Sequence, residues 1–128
     1  MNHLNLDERW RLEEEYHIIY LTSETGRINI LSKSTTCSVI SMTITSCELP
    51  KKLIIRTNGE LVFSGSINPN IFIKVIFRTL LLKGTNLLDF HLTSNGNFIQ
   101  NEEDVYRLND IIAIKDFIIT SEVINRYL

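Results

Sequence analysis

Residues 68–84, NPNIFIKVIFRTLLLKG, constrain the fold more than any other stretch, because helix signals mark the ends while strand-forming residues fill the middle. Asn68 suits the cap of a first turn, and Pro69 suits the first helical position, where its missing NH costs nothing. Gly84 suits the left-handed position after Lys83. The fourteen residues between these marks are long for a strand. The spacing therefore predicts a helix over residues 69–83.

On a wheel of about 100° per residue, that helix places Lys74 and Arg78 on one strip, with Phe72, Ile73, Ile76 and Leu80 opposite as the core face. Ile71, Val75 and Leu82 form one shoulder of the charged strip, and Phe77 and Leu81 form the other. A helix apolar nearly all round has to be buried on several sides. Leaving large aliphatic side chains wet costs on the order of 1.5–3 kcal/mol each. Either a C-terminal helix covers the shoulder or another polypeptide does. The second reading makes Ile71, Lys74, Val75, Arg78 and Leu82 a partner-binding surface, in a homodimer or a complex with another protein.

Around this segment the sequence predicts mostly antiparallel strands. Asn58-Gly59 and Asn95-Gly96 each sit between short apolar runs, and both turn positions of such hairpins need positive φ. Upstream, YHIIYLT, RINILS and TCSVISMTIT are rich in β-branched and aromatic residues, and SETG between the first two reads as a turn ending on Gly26. LNLDERWRLEEE predicts a short N-terminal helix, with Asn5 as cap and Leu6 and Trp10 four apart. Residues 101–128 open with Asn101 and three acidic residues and run without Gly or Pro, which predicts a C-terminal helix; IIAIKDFII within them also fits a strand. The expected architecture is one α+β domain over residues 1–128. It comprises an antiparallel sheet of hairpins with a short N-terminal, a central and a C-terminal helix.

Leu, Ile, Val and Phe supply 46 of the 128 residues, which excludes a disordered chain. A net charge of −2 lacks the basic footprint of a nonspecific nucleic-acid binder. Cys37 and Cys47 lie ten apart with no metal-binding spacing and read as reduced thiols. The start MNHLNLDERW has no basic or apolar signal region, and apolar runs are too short to span a bilayer, so a soluble cytoplasmic protein is expected.

No motif announces catalysis. The histidines are His3, His17 and His91, and His91 follows the carboxylate Asp89 by two residues, which a strand would place on the same face. The runs Glu13 to Glu15 and Glu102 to Asp104 read as solvated or helix-start acids. Phosphate loops and nucleophile elbows are absent. The expectation is a protein-binding module with no enzyme activity, cofactor, metal or small-molecule substrate.

The segment FRTLLLKGTNLLDFHLTSNGNF followed by DIIAIKDFIITSEVI resembles, in layout and apolar spacing, the C-terminal half of SpiC/SepD-type gatekeeper accessory proteins and the small acidic chaperones of bacterial type III secretion. The resemblance covers residues 70–124 and carries over no functional residue. It implies a cytoplasmic virulence chaperone that holds a secretion substrate or gatekeeper through apolar helix surfaces. The alternative is an immunity protein or antitoxin whose acidic residues cover a basic toxin site.

Overall fold

The computed structural model describes residues 3–94 and 110–121. Among these residues the chain forms ten strands and no helix. In chain order they are β1 (His3–Leu6), β2 (Trp10–Glu13), β3 (Ile18–Leu21), β4 (Thr25–Ser32), β5 (Thr36–Ser46), β6 (Lys51–Thr57), β7 (Glu60–Ile67), β8 (Ile73–Leu81), β9 (Gly84–Ser94) and β10 (Ile112–Ser121). They build two five-stranded sheets, ordered β1-β4-β9-β6-β7 and β2-β3-β10-β5-β8. All neighbours are antiparallel. The two sheets bury one apolar face each against the other, which makes the molecule a β-sandwich.

Alternation along the strands creates the core. On β4, Ile28 and Ile30 are buried while Arg27 and Leu31 face out; on β5, Ile40, Met42 and Ile44 are buried. Inward residues stand opposite inward residues across the ladder, so each strand adds its apolar side to the same layer. β10 preserves this parity through a bulge between Lys115 and Ile118. The extra residue, with Asp116 at φ 55°, keeps Phe117 and Ile119 packed against the core and turns Ile118 outward.

The predicted α+β class is thus corrected. Residues 5–13 form the ends of β1 and β2, joined by a turn in which Trp10 NH donates to Asp7 O at 3.2 Å. The predicted central helix is β8, whose nine residues all pair with β5 from Leu81 opposite Thr36 to Ile73 opposite Ile44. Val75, Phe77 and Leu81 point inward and Lys74, Ile76, Arg78 and Leu80 outward, a period of two rather than 3.6. The supposed cap residues serve turns instead. Asn68 O accepts from Thr45 Oγ1 at 3.1 Å, Pro69 bridges to Ser46, and Gly84 adopts φ 104° at the start of β9. Within the predicted C-terminal helix, residues 112–121 are the strand β10; residues 101–109 and 122–128 lie outside the described residues, as does the Asn95-Gly96 turn.

The other hairpin signal matches the structure. Asn58 and Gly59 have φ of 49° and 87° between β6 and β7. A side-chain latch reinforces the turn: Asn58 Nδ2 donates to Asn86 Oδ1 at 3.0 Å, and Asn58 exchanges hydrogen bonds with the backbone of Leu87. The fully enclosed Asn86 side chain also accepts from Leu82 NH and donates to Leu82 O, both at 2.8 Å. SETG joins strands of different sheets, and Gly26 lies within β4, where a Cβ would stand 2.4 Å from Leu21 Cδ1 and 2.9 Å from the Trp10 ring. Its lack of a side chain lets Trp10 pack edge-on against Phe90 at 5.2 Å and donate from Nε1 to Arg27 O at 3.1 Å.

Candidate functional site

That tryptophan anchors the underside of a polar depression on the outer face of the first sheet. Strand register sets its floor. Arg27 on β4, Asp89 on β9 and Arg56 on β6 stand in one row across three adjacent strands, and Thr25, His91 and Ile54 stand in the next. Because β9 is the central strand, its outward residues are flanked on both sides, and Asp89 lies between two guanidinium groups.

The Asp89 carboxylate accepts from Arg27 Nε at 2.6 Å and from Arg27 Nη2 at 3.3 Å, a fork in which planar group meets planar group. The hydrogen bond from Arg27 raises its own pKa above the ordinary arginine value, with the Asp89 charge adding to the effect. The β1–β2 turn contributes a second pair above the floor. Arg9 Nε donates to Asp7 Oδ2 at 3.0 Å while Arg9 Nη1 donates to Thr25 Oγ1 at 2.7 Å, and Asp7 also accepts from Arg27 NH at 3.2 Å. Burial pushes the Asp7 carboxyl up, but hydrogen bonds and charge from Arg9, with the Arg27 NH, hold it below its ordinary value. Arg56 makes no side-chain hydrogen bond to another described residue.

These groups line an open depression of about 400 Å³ bordered by Arg9, Thr25, Arg27, Arg56, Asp89 and His91. Further along β4 the same face continues into a second hollow of about 440 Å³ between Leu4, Asn5, Asn29, Leu31 and Thr85. Thr25 and Leu31 are six residues apart on one strand, so the two hollows mark out a track of about 20 Å at the strand rise. The track presents guanidinium groups, a carboxylate and amides, with Arg27 and Asp89 fixed against each other.

Cys47 is pushed up to about 11 by burial, and after that by the charges of Asp110 and Glu48, so its thiol stays protonated near neutrality. Among the described residues no group of three His, Cys, Asp or Glu side chains is placed to hold a metal ion.

The residues expected to bind a partner lie on the opposite side of the sandwich, at β8 of the second sheet. Ile71 and Leu82 are 56% and 49% exposed, and Lys74 and Arg78 also face solvent, whereas Val75 is 1% exposed and belongs to the core. Sequence reasoning noticed only one element of the polar depression, the two-residue spacing of Asp89 and His91, which do share an outward face of β9. Arg9, Arg27 and Arg56 come from three distant segments, and nothing short of the strand register connects them.

No protein-family model matches the chain, and no curated protein matches it in sequence. Solved structures share its fold. The Podospora anserina GH26-CBM35 β-(1,4)-mannanase superposes with a TM-score of 0.59 at 12% identity, over 98% of this chain and 29% of that one. CBM35 from Paenibacillus barcinonensis gives 0.55 at 13% identity, over 95% and 99% of the two chains. A family 35 carbohydrate binding module from Clostridium thermocellum gives 0.53 at 11% identity, over 95% and 92%. The chain thus spans less than a third of the multidomain enzyme but nearly the whole of each isolated module.

These likenesses, together with the all-strand architecture, overturn the type III secretion reading. The SpiC/SepD-type resemblance depended on a central and a C-terminal helix in residues 70–124, and the described parts of that range are strands. The immunity-protein and antitoxin alternative gains no support from sandwich neighbours that are carbohydrate-binding modules. The expected gatekeeper, secretion-substrate or homodimer partner was argued from a helix apolar all round, and that helix does not exist.

Proposed function

We propose that this chain is a non-catalytic carbohydrate-binding module whose saccharide site is the polar depression over β4, β9 and β6. The observation that carries the reading is the row Arg27–Asp89–Arg56, a line of planar polar groups on the floor of an open hollow. Sugar hydroxyls come as neighbouring donor and acceptor pairs, which guanidinium forks and carboxylates engage two at a time. The Arg27–Asp89 ion pair orients those two groups beforehand, which lowers the cost a ligand bears for ordering them. A volume of about 400 Å³ falls within the range of small-ligand sites. The architecture supports the same reading, since the neighbours of similar length are carbohydrate-binding modules. The expectation of a ligand class confined to proteins is accordingly reversed.

The track beside β4 accommodates more than one sugar ring, and an extended glycan lies along it from Thr25 towards Leu31. Affinity electrophoresis through gels containing soluble mannan, galactan, xylan, β-glucan or pectin tests the proposal. At least one polysaccharide should retard the chain, and Arg27→Ala or Asp89→Asn should restore free migration. Free migration in every gel, or retardation unaffected by either substitution, would reject it.

A further inference from the structure

On the far side of the sandwich, β8, β5 and β10 present an exposed grid. Register fixes its rows: Lys74, Thr43 and Lys115 in one, Ile76, Ser41 and Ile118 in the next, then Arg78, Val39 and Thr120, and Leu80 beside Cys37. The centre line on β5 is made of small side chains, flanked by taller ones on either side. Ile76, Leu80 and Ile118 are 55%, 51% and 54% exposed, an amount of wet aliphatic surface that single scattered residues do not explain. Phe72 continues the line at the end of β8, with Lys115 Nζ 4.2 Å above its ring.

From this grid we infer a second binding surface, one that docks on the headgroup region of an anionic phospholipid bilayer. Two observations favour a bilayer over a folded protein. Along β8 the outward positions alternate cation, aliphatic, cation, aliphatic, through Lys74, Ile76, Arg78 and Leu80. Protein interfaces deplete lysine from their centres, whereas surfaces that lie on lipid place aliphatics and cations side by side, one set entering the acyl boundary and the other meeting phosphate. The charge balance points the same way. β5, β8 and β10 together contain Lys74, Arg78 and Lys115 against a single carboxylate, Asp116 at the bulge. In the β2–β3 half of the same sheet, Arg11 stacks 4.2 Å over Tyr20 and pairs with Asp110 at 2.6 Å and Glu13 at 3.1 Å, whereas Lys74 and Lys115 stand beside exposed aliphatics.

β8 is also an edge strand, where a long apolar face is an aggregation hazard unless charges interrupt it or a surface covers it. The interspersed lysines serve both ends. They keep the free chain soluble and supply the attraction that brings the aliphatics down onto lipid.

Sedimentation of the full chain with phosphatidylcholine vesicles, with and without about a third of phosphatidylserine, tests the inference. The chain should pellet with the anionic vesicles only and be released by high salt. Lys74→Glu and Lys115→Glu should each weaken partitioning about fivefold or more. Ile76→Ser with Ile118→Ser should weaken it further, while Leu31→Ser on the opposite face should not. All five side chains are at least partly exposed, and unchanged thermal unfolding confirms that each variant folds. Absence from the anionic pellet, equal pelleting with neutral vesicles, or partitioning insensitive to these substitutions would overturn the inference. So would a solution mass twice 14.8 kDa that Ile76→Ser halves, which would assign the face to a second copy of the chain.

Discussion

The two outer faces of this sandwich obey the same alternation rule and reach opposite results. On the first sheet the outward Arg27 pairs with Asp89, and in the β1–β2 turn above it Arg9 pairs with Asp7, so most of the charge on that side is matched pair by pair. On the β8 side of the second sheet, lysine and arginine alternate with exposed isoleucine and leucine, so cations and aliphatics share one face. Position in the sheet underlies the contrast. β9 is central and brings its neighbours' charges within reach of Asp89 from both sides, while β8 is an edge and has a neighbour on one side only.

If the faces are separate devices on one core, disrupting the core should abolish both. Phe90→Ala removes the ring that Trp10 packs against beneath the polar depression and should cost about 3–5 kcal/mol in denaturant unfolding. A smaller loss is expected at Asn86. Its replacement by Ala removes the partner of the buried Ile30 O and of the part-buried groups on Leu82 and Asn58, and urea titration should show a loss of about 1–3 kcal/mol.

Substitutions on the faces should separate binding from stability. Arg27→Ala should lower saccharide affinity about tenfold or more in calorimetric titration, in keeping with a lost charged hydrogen bond. Because the Arg27–Asp89 pair is well exposed, the same change should shift stability by less than about 1 kcal/mol. Ile76→Ser should leave stability within about 0.5 kcal/mol and saccharide binding unaltered, since it lies on the other sheet. A change in sugar affinity there would break the separation of the faces.

The smallest effect is expected from acid. The Asp7 carboxyl has a lowered pKa in the folded chain, so its contribution is fully present above the ordinary value of 3.8 and is lost as pH falls below that towards the folded value. Asp7→Asn should remove that part of the acid sensitivity of unfolding between neutral pH and the acid limb. An unchanged acid limb in the variant would show that the Arg9–Asp7 pair does not contribute.

Some of this was legible in the residues. The high Ile, Leu, Val and Phe content announced a folded core, and Asn58-Gly59 announced a hairpin because its left-handed backbone is a local demand that no distant contact sets. The central helix misread the sequence for a physical reason. In a half-exposed strand the outward positions are usually polar, but Ile76 and Leu80 are as apolar as the inward Val75 and Phe77, which erases the period of two. Phe72, Ile76 and Leu80 then fall four apart and mimic a helical stripe, while Asn, Pro and Gly serve turns as readily as caps. The same lost alternation that hid the strand is what makes the β8 face unusual. The N-terminal helix failed likewise, because Asp7 is a turn acceptor for Arg9 NH rather than a first-turn acid. The polar depression was hidden for a different reason: segments near residues 9, 26, 56 and 90 meet only through long-range pairing.

Nuclear magnetic resonance titration of the labelled chain with a glycan that retards it tests the account's central claim most directly. The account predicts that amide signals of residues 25–27, 56 and 89–91 move with saturation, while those of residues 74–80 stay in place. Movement confined to residues 74–80, with the Arg27–Asp89 row undisturbed, would contradict it.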